Sequence, residues 1–201
     1  IASRGVRFDP FPLFSVTATD GEIVSAARPR GERTLVPRAT YLAGYAMEGV
    51  LERGTAKGAR ALGVYFPAAG KTGTTDRNRD SWFAGFTPDV VCVVWVGYDS
   101  GVDTGLPGAR GALPIWARFV RALYPNSGPV GLGPPEGIET AQIDPESGFL
   151  ATSACPTQIP EAYLLGTAPK EMCPLHPASA VVDSVRKGLR GIGEFFRNLF
   201  K

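Results

Sequence analysis

The sequence contains one histidine, His176. An HExxH pattern and a His-rich zinc site are therefore excluded, and a Ser-His-Asp triad would have to use that single residue. No GxGxxG fingerprint and no P-loop occurs. An excess of either charge is also absent: 21 Lys+Arg against 19 Asp+Glu leave +2, so no general affinity for nucleic acid is implied. No apolar run approaches the roughly 18 residues that span a bilayer, and the opening Ile1-Ala2-Ser3-Arg4 is not a signal peptide. The start also lacks an initiator Met and runs directly into ordered-looking sequence. The chain is expected to begin inside a longer protein, with any export signal or anchor outside it.

What is present is a chain of 201 residues, 44% hydrophobic and 20% charged, suited to one domain with an appendage. Gly 25 and Pro 18 stand well above average usage, which predicts a folded but loop-rich chain. Leu13 to Ala18 and Glu22 to Ser25 flank Asp20-Gly21, a hairpin signal. Pro37 opens a helical pattern through Leu42, Ala46, Gly49 and Val50 that stops at Gly54, and a shorter helical piece runs from Ala56 to Leu62. Three strand candidates follow, Ala69 to Thr75, Trp82 to Phe86 and Val90 to Tyr98, with short polar links that favour an antiparallel meander. Val90 to Val96 is apolar on both faces and is expected in the sheet interior, covered by helices on either side. Pro114 to Leu123 reads as a helix with Ile115, Trp116, Phe119, Val120 and Leu123 on one side, and Trp82, Trp95 and Trp116 read as core aromatics. The fold class is α+β, an antiparallel sheet flanked by helices.

Beyond Tyr124 the composition changes, since ten of the 18 prolines lie between Pro125 and Pro177. The expected organisation is a sheet-and-helix domain over 1–124, a Pro-rich extension over 125–180 and a basic amphipathic tail over 181–201. Within the extension, Ile138 to Ile143 is expected to pair with Phe149 to Thr152 across Asp144-Pro145-Glu146-Ser147-Gly148.

The chemistry is carried by Gly70-Lys71-Thr72-Gly73-Thr74-Thr75. On a strand, Lys71 and Gly73 face one way and Thr72 and Thr74 the other, and Gly73 allows another backbone to approach closely. A cation, hydroxyls and a strand edge suit an extended peptide ending in a carboxylate and bound as an added strand. K-T-G is also the third signature of penicillin-binding proteins and serine beta-lactamases, after S-x-x-K and an S-D-N type motif.

Together with Asp80-Ser81-Trp82-Phe83-Ala84-Gly85-Phe86-Thr87-Pro88, Val94-Trp95-Val96-Gly97-Tyr98-Asp99, Gly49 to Ala56 and Ala112 to Trp116, this run resembles the transpeptidase domain of class A, bifunctional penicillin-binding proteins. The similarity extends from about Ser3 to about Tyr124 and more weakly through the Ile-Asp-Pro and Cys-Pro stretches. It implies the penicillin-binding transpeptidase fold, incomplete in this chain, and a peptidoglycan D,D-transpeptidase acting on D-Ala-D-Ala stem peptides and inhibited by beta-lactams, with a glycosyltransferase elsewhere in the protein. By this resemblance Lys71 keeps the cleft positive and assists proton transfer, the Thr72 and Thr74 hydroxyls bind the terminal carboxylate, the Thr74 N–H serves the oxyanion hole, and Gly73 and Thr75 complete the binding strand. No cofactor is required, and the enzyme is expected on the outer side of the cytoplasmic membrane.

The departure is equally clear: nothing before Lys71 matches S-x-x-K or S-x-N. The one S-x-x-K, Ser184-Val185-Arg186-Lys187, follows K-T-G in the basic tail and is read as coincidence. The chain by itself is not expected to form an acyl-enzyme, and a non-catalytic peptide-binding scaffold or beta-lactam sensor is the competing reading. As the second part of a catalytic domain it is also expected to expose apolar surface on Val90 to Val96 and its neighbours, and to fold poorly alone. Since the resembled family works where disulfides persist, Cys155 and Cys173 are expected to bridge, while Cys92 reads as an inert core thiol. Cys155, Cys173 and His176 could instead hold a metal, but the sequence shows no fourth ligand, so no metal site is expected. The 181–201 tail is a candidate membrane-surface helix.

Overall fold

The computed structural model describes residues 1–131 and 133–178; the 181–201 tail and its S-x-x-K lie outside the described residues. The chain forms two compact units, one from Ile1 to Pro135 and one from Glu136 onward.

In the first unit, β1 (Val6–Phe8) pairs with β4 (Gly31–Arg33), and β2 (Ser15–Thr17) with β3 (Ile23–Ala26). The β2–β3 turn uses Gly21 at φ +92°, the left-handed conformation for which the Asp-Gly signal selects. Helix α1 (Pro37–Glu52) begins with extended Val36 followed by Pro37, whose missing N–H costs nothing in a first turn. A short α2 (Gly58–Ala61) leads to the central meander of β5 (Ala69–Thr74), β6 (Asp80–Phe86) and β7 (Val91–Gly97), antiparallel in that order. Helix α3 (Ala112–Leu123) then packs on the sheet.

The alternation of β6 determines which face is core. Ser81, Phe83 and Gly85 are buried, while Trp82 and Ala84 face outward. Phe83 and Trp116 of α3 meet with ring centroids 4.8 Å apart, joined by Leu51, Val64, Leu113 and Val120. Burying each of these large side chains contributes about 1.5–3 kcal/mol. The rings also dictate two glycines: a Cβ on Gly70 would lie 2.6 Å from Phe83, and one on Gly85 would lie 2.6 Å from Phe83 and 2.7 Å from Trp116.

Among the described residues the apolar strand, β7, ends the sheet and is covered on one face: Val91, Val93 and Trp95 are 65%, 56% and 41% exposed, the apolar surface expected of a half-domain without its upstream partners. Two expectations are corrected. Trp82 is likewise exposed beside Trp95, so Trp116 alone of the three tryptophans is core. In α3 the buried stripe is Leu113, Trp116, Ala117 and Val120, whereas Ile115, Phe119 and Leu123 form a second, exposed stripe at four-residue spacing.

The second unit is built on β8 (Ile138–Ile143) paired with β9 (Ile159–Leu164), from Ile138↔Leu164 to Ile143↔Ile159. The expected partner, Phe149 to Thr152, contributes only a bridge from Leu150 to Ile143 and a second to Met172. Its buried residues, among those described, are Ile143, Asp144, Thr152, Cys155 and Cys173, an interior with one large aliphatic side chain. Among the described residues no helix is long and apolar enough to cross a membrane.

Candidate functional site

The K-T-G residues lie together on β5. Lys71 opposes Ala84 and Gly73 opposes Trp82 on one face, while Thr72 and Thr74 oppose Phe83 and Ser81 on the other. Just beyond the strand, Thr75 N–H bonds Asp80 O at 3.2 Å. Hydrogen-bonded and non-hydrogen-bonded pairs alternate along an antiparallel ladder. The N–H and C=O groups of Thr72 and Thr74 therefore point away from β6, toward an edge with which no other strand pairs among the described residues.

Each side chain of the motif has a defined setting. Lys71 is exposed and its Nζ donates to Thr72 O at 2.9 Å, on that same edge. The hydroxyls of Thr72 and Thr55 share a hydrogen bond of 2.8 Å. Thr74 Oγ1 accepts from Gly108 N at 3.0 Å. The missing side chain of Gly73 admits no second backbone, since a Cβ on Gly73 would meet the Trp82 side chain at 3.1 Å; the close backbone approach is at Gly108, where a Cβ would sit 2.7 Å from Gly73 O and 2.6 Å from Trp82 O. Thr75 has its hydroxyl engaged both ways, donating to Asp80 Oδ2 and accepting from Asp80 N, each at 2.9 Å. The other Asp80 oxygen accepts from Trp95 Nε1 at 2.9 Å, so one carboxylate holds the β5–β6 turn and an exposed indole. Thr55, Asp80 and Gly108 have supporting contacts that sequence reasoning did not assign. The Gly54-Thr55-Ala56 turn was visible as a motif, but Gly108 sits in a loop with no local signal.

The second unit gathers a different set. Asp144, Cys155, Cys173 and His176 bring one ligand atom each to within 4.8 Å of one another. All three cysteines are free, so the expected Cys155–Cys173 bridge is not formed. Cys173 Sγ instead donates to Asp144 Oδ2 at 3.0 Å and lies 3.4 Å from His176 Nδ1. The Cys173 hydrogen bond, with others from the Ser147 region, holds the Asp144 carboxyl down to about 2, whereas burial, then Asp144, pushes the Cys173 thiol up. Asp144 is the fourth group that the sequence did not reveal, because it stands in a stretch read as a turn.

Residues 134–178 match the family model described as penicillin-binding protein 1A, C-terminal domain. Over 155 residues the chain is 39% identical to penicillin-binding protein 1B of Escherichia coli, covering 76% of this chain and 18% of that protein. Over 177 residues it is 36% identical to penicillin-binding protein 1A of Aquifex aeolicus, covering 86% of this chain and 24% of that protein. This chain belongs to the class A penicillin-binding proteins. A crystal structure of penicillin-binding protein 1A from Haemophilus influenzae superposes on 86% of it with a TM-score of 0.73 at 20% identity, covering 31% of that chain. The α+β sheet of β5 to β7 with its helices is thus the penicillin-binding transpeptidase fold, incomplete in this chain. The chain spans about a fifth of the length of the curated relatives it matches.

Proposed function

We propose that this chain supplies the K-T-G strand of a peptidoglycan D,D-transpeptidase that also binds beta-lactams, in a protein that carries a glycosyltransferase as well and works outside the cytoplasmic membrane, held there by a segment outside these residues. In acylation, a serine oxygen bonds to the penultimate D-Ala carbonyl carbon, the terminal peptide C–N bond breaks, and D-Ala leaves with a proton on its amine. An acceptor amine then takes the acyl group. The acylating serine is not assigned to this chain, since nothing preceding Lys71 has the S-x-x-K pattern.

The observation that carries the reading is the outward-facing edge of β5. The Thr74 N–H points there, which supports a role as donor to the oxyanion that develops on the carbonyl, usually the largest single contribution to catalysis. The stem peptide lies along the same edge as an added strand, with its carboxylate on the Thr72 and Thr74 hydroxyls. Lys71 adds positive charge for that carboxylate and assists the proton on its way to the leaving amine. Thr75, with its hydroxyl held by Asp80, fixes the turn that ends the binding strand. The domain boundary near residue 124, the extension to 180 and the membrane-surface role of the 181–201 tail belong to the same proposal.

Labelling of the full protein with a fluorescent penicillin tests it. A covalent label that survives denaturation and is suppressed by excess unlabelled beta-lactam is expected. Saturable binding of a D-Ala-D-Ala peptide with no covalent label would favour the non-catalytic scaffold instead.

A further inference from the structure

We propose that Asp144, Cys155, Cys173 and His176 form a structural zinc site that staples the second unit. The argument begins with size. A module this small rarely sustains itself on an apolar core, and natural modules of the kind add a disulfide or a metal. Here the described interior is Ile143 with Asp144, Thr152, Cys155 and Cys173, which leaves a carboxylate and two thiols where a core should be. A buried carboxylate is costly unless paired or bound to a cation.

Geometry and ligand chemistry agree on which cation. A tetrahedral Zn2+ with Zn–S of about 2.3 Å and Zn–N or Zn–O of about 2.0–2.1 Å spaces its ligand atoms roughly 3.3–3.8 Å apart. Cys173 Sγ to Asp144 Oδ2 is 3.0 Å, Cys173 Sγ to His176 Nδ1 is 3.4 Å and His176 Nδ1 to Asp144 Oδ2 is 3.5 Å, with Cys155 Sγ inside the same 4.8 Å cluster. Two sulfurs, one imidazole nitrogen and one carboxylate oxygen favour zinc over the oxygen-preferring Ca2+ and Mg2+. Four protein ligands, three of them buried, describe a closed structural site rather than an open catalytic one.

The surroundings suit thiolates as well. Thr152 N donates to Cys155 Sγ at 3.2 Å and His176 N donates to Cys173 Sγ at 3.3 Å. Each backbone N–H offsets part of the negative charge a thiolate would carry. The second bond spans Cys173-Pro174-Leu175-His176, so one tight loop delivers a sulfur and a nitrogen to the same point. Ser147 N donates to Asp144 Oδ2 at 3.2 Å and fixes the carboxylate. Zinc entry forms two Zn–S bonds and releases the two thiol protons to solvent.

The test uses the full protein, reduced and free of metal, with Zn2+ or Co2+ alone as probe. One equivalent of Zn2+ is expected to bind and to protect Cys155 and Cys173, but not Cys92, from alkylation. Co2+ should give the sulfur charge-transfer and visible bands of a tetrahedral site. Removing the metal should speed amide exchange across β8 and β9 and leave β5 to β7 unaffected. Cys155→Ser, Cys173→Ser and Asp144→Asn should lose the metal to a chelator that leaves the wild type loaded. Should these variants fail to fold, Asp144→Cys provides the check: it should retain Co2+ and strengthen the sulfur band. A reduced chain that leaves Zn2+ in solution while Cys155 and Cys173 react as freely as without it would overturn the proposal. So would protein trapped from cells with Cys155 bonded to Cys173 and no zinc.

Discussion

Thr74 Oγ1 accepts a hydrogen bond from the N–H of Gly108 at 3.0 Å. A hydroxyl has one proton to give and two lone pairs. With Gly108 occupying a lone pair, the Thr74 O–H proton is the part left to offer, and it suits a carboxylate. The loop at residue 108 thus orients a group of the proposed binding strand.

Thr74→Val removes that proton at nearly constant shape. Because a hydrogen bond to a charged group contributes about 1.5–3 kcal/mol, the acylation rate constant with a carboxylate-bearing penicillin is expected to fall roughly 10–100-fold. Thr74→Ser should retain most of it. Stopped-flow acylation of the two variants provides the comparison.

Gly108→Ala tests the loop. Its Cβ would meet Trp82 O at 2.6 Å and Gly73 O at 2.7 Å, and these are backbone atoms that cannot swing aside. Displacement of the loop should cost about 1–3 kcal/mol and break the bond to Thr74. Denaturant unfolding measures the first effect, and the acylation rate measures the second.

Ser81→Ala tests the seam between the sheet and α3. Ser81 is fully buried and its Oγ accepts from Ala112 N at 3.1 Å, satisfying a donor in the first turn of the helix. Without it that N–H is buried and unpaired, at a cost of about 1–3 kcal/mol. Ser81→Thr, which keeps the oxygen but adds a methyl group, should also destabilise, since a Cβ added to neighbouring Gly111 would already lie 2.4 Å from the Ser81 oxygen.

What the sequence disclosed follows from how local each signal is. Asp20-Gly21, Pro37 and the K-T-G run are written in adjacent residues, and their hairpin, helix and strand form where expected. The exposed face of β7 was legible only through the family resemblance, because Val91-Cys92-Val93-Val94-Trp95 has the same letters whether one face or both are covered, and it is the incompleteness of the domain that leaves Val91, Val93 and Trp95 uncovered. Strand β9 was hidden by Pro160, which demotes a run to an edge position, and a two-stranded sheet consists only of edges. Asp144 was hidden by distance. It sits in Asp-Pro-Glu-Ser-Gly, a stretch with every mark of a turn, and only the fold brings Cys173, 29 residues on, against its carboxylate. Thr72, Gly73 and Thr74 were readable as a group, while the Gly108 loop and the Asp80 clasp that position their neighbours come from other parts of the chain.

The central claim is that Lys71 acts in acyl transfer and not in folding. Its side chain is exposed and its one hydrogen bond among the described residues goes to the adjacent Thr72 carbonyl, so Lys71→Ala should leave the unfolding midpoint of the full protein unchanged. General acid–base assistance contributes typically about 10²–10⁴-fold. The second-order rate constant for acylation by a fluorescent penicillin, measured on wild type and Lys71→Ala side by side, is predicted to fall by on the order of 10²–10⁴. Equal rate constants in two equally stable proteins would contradict the account.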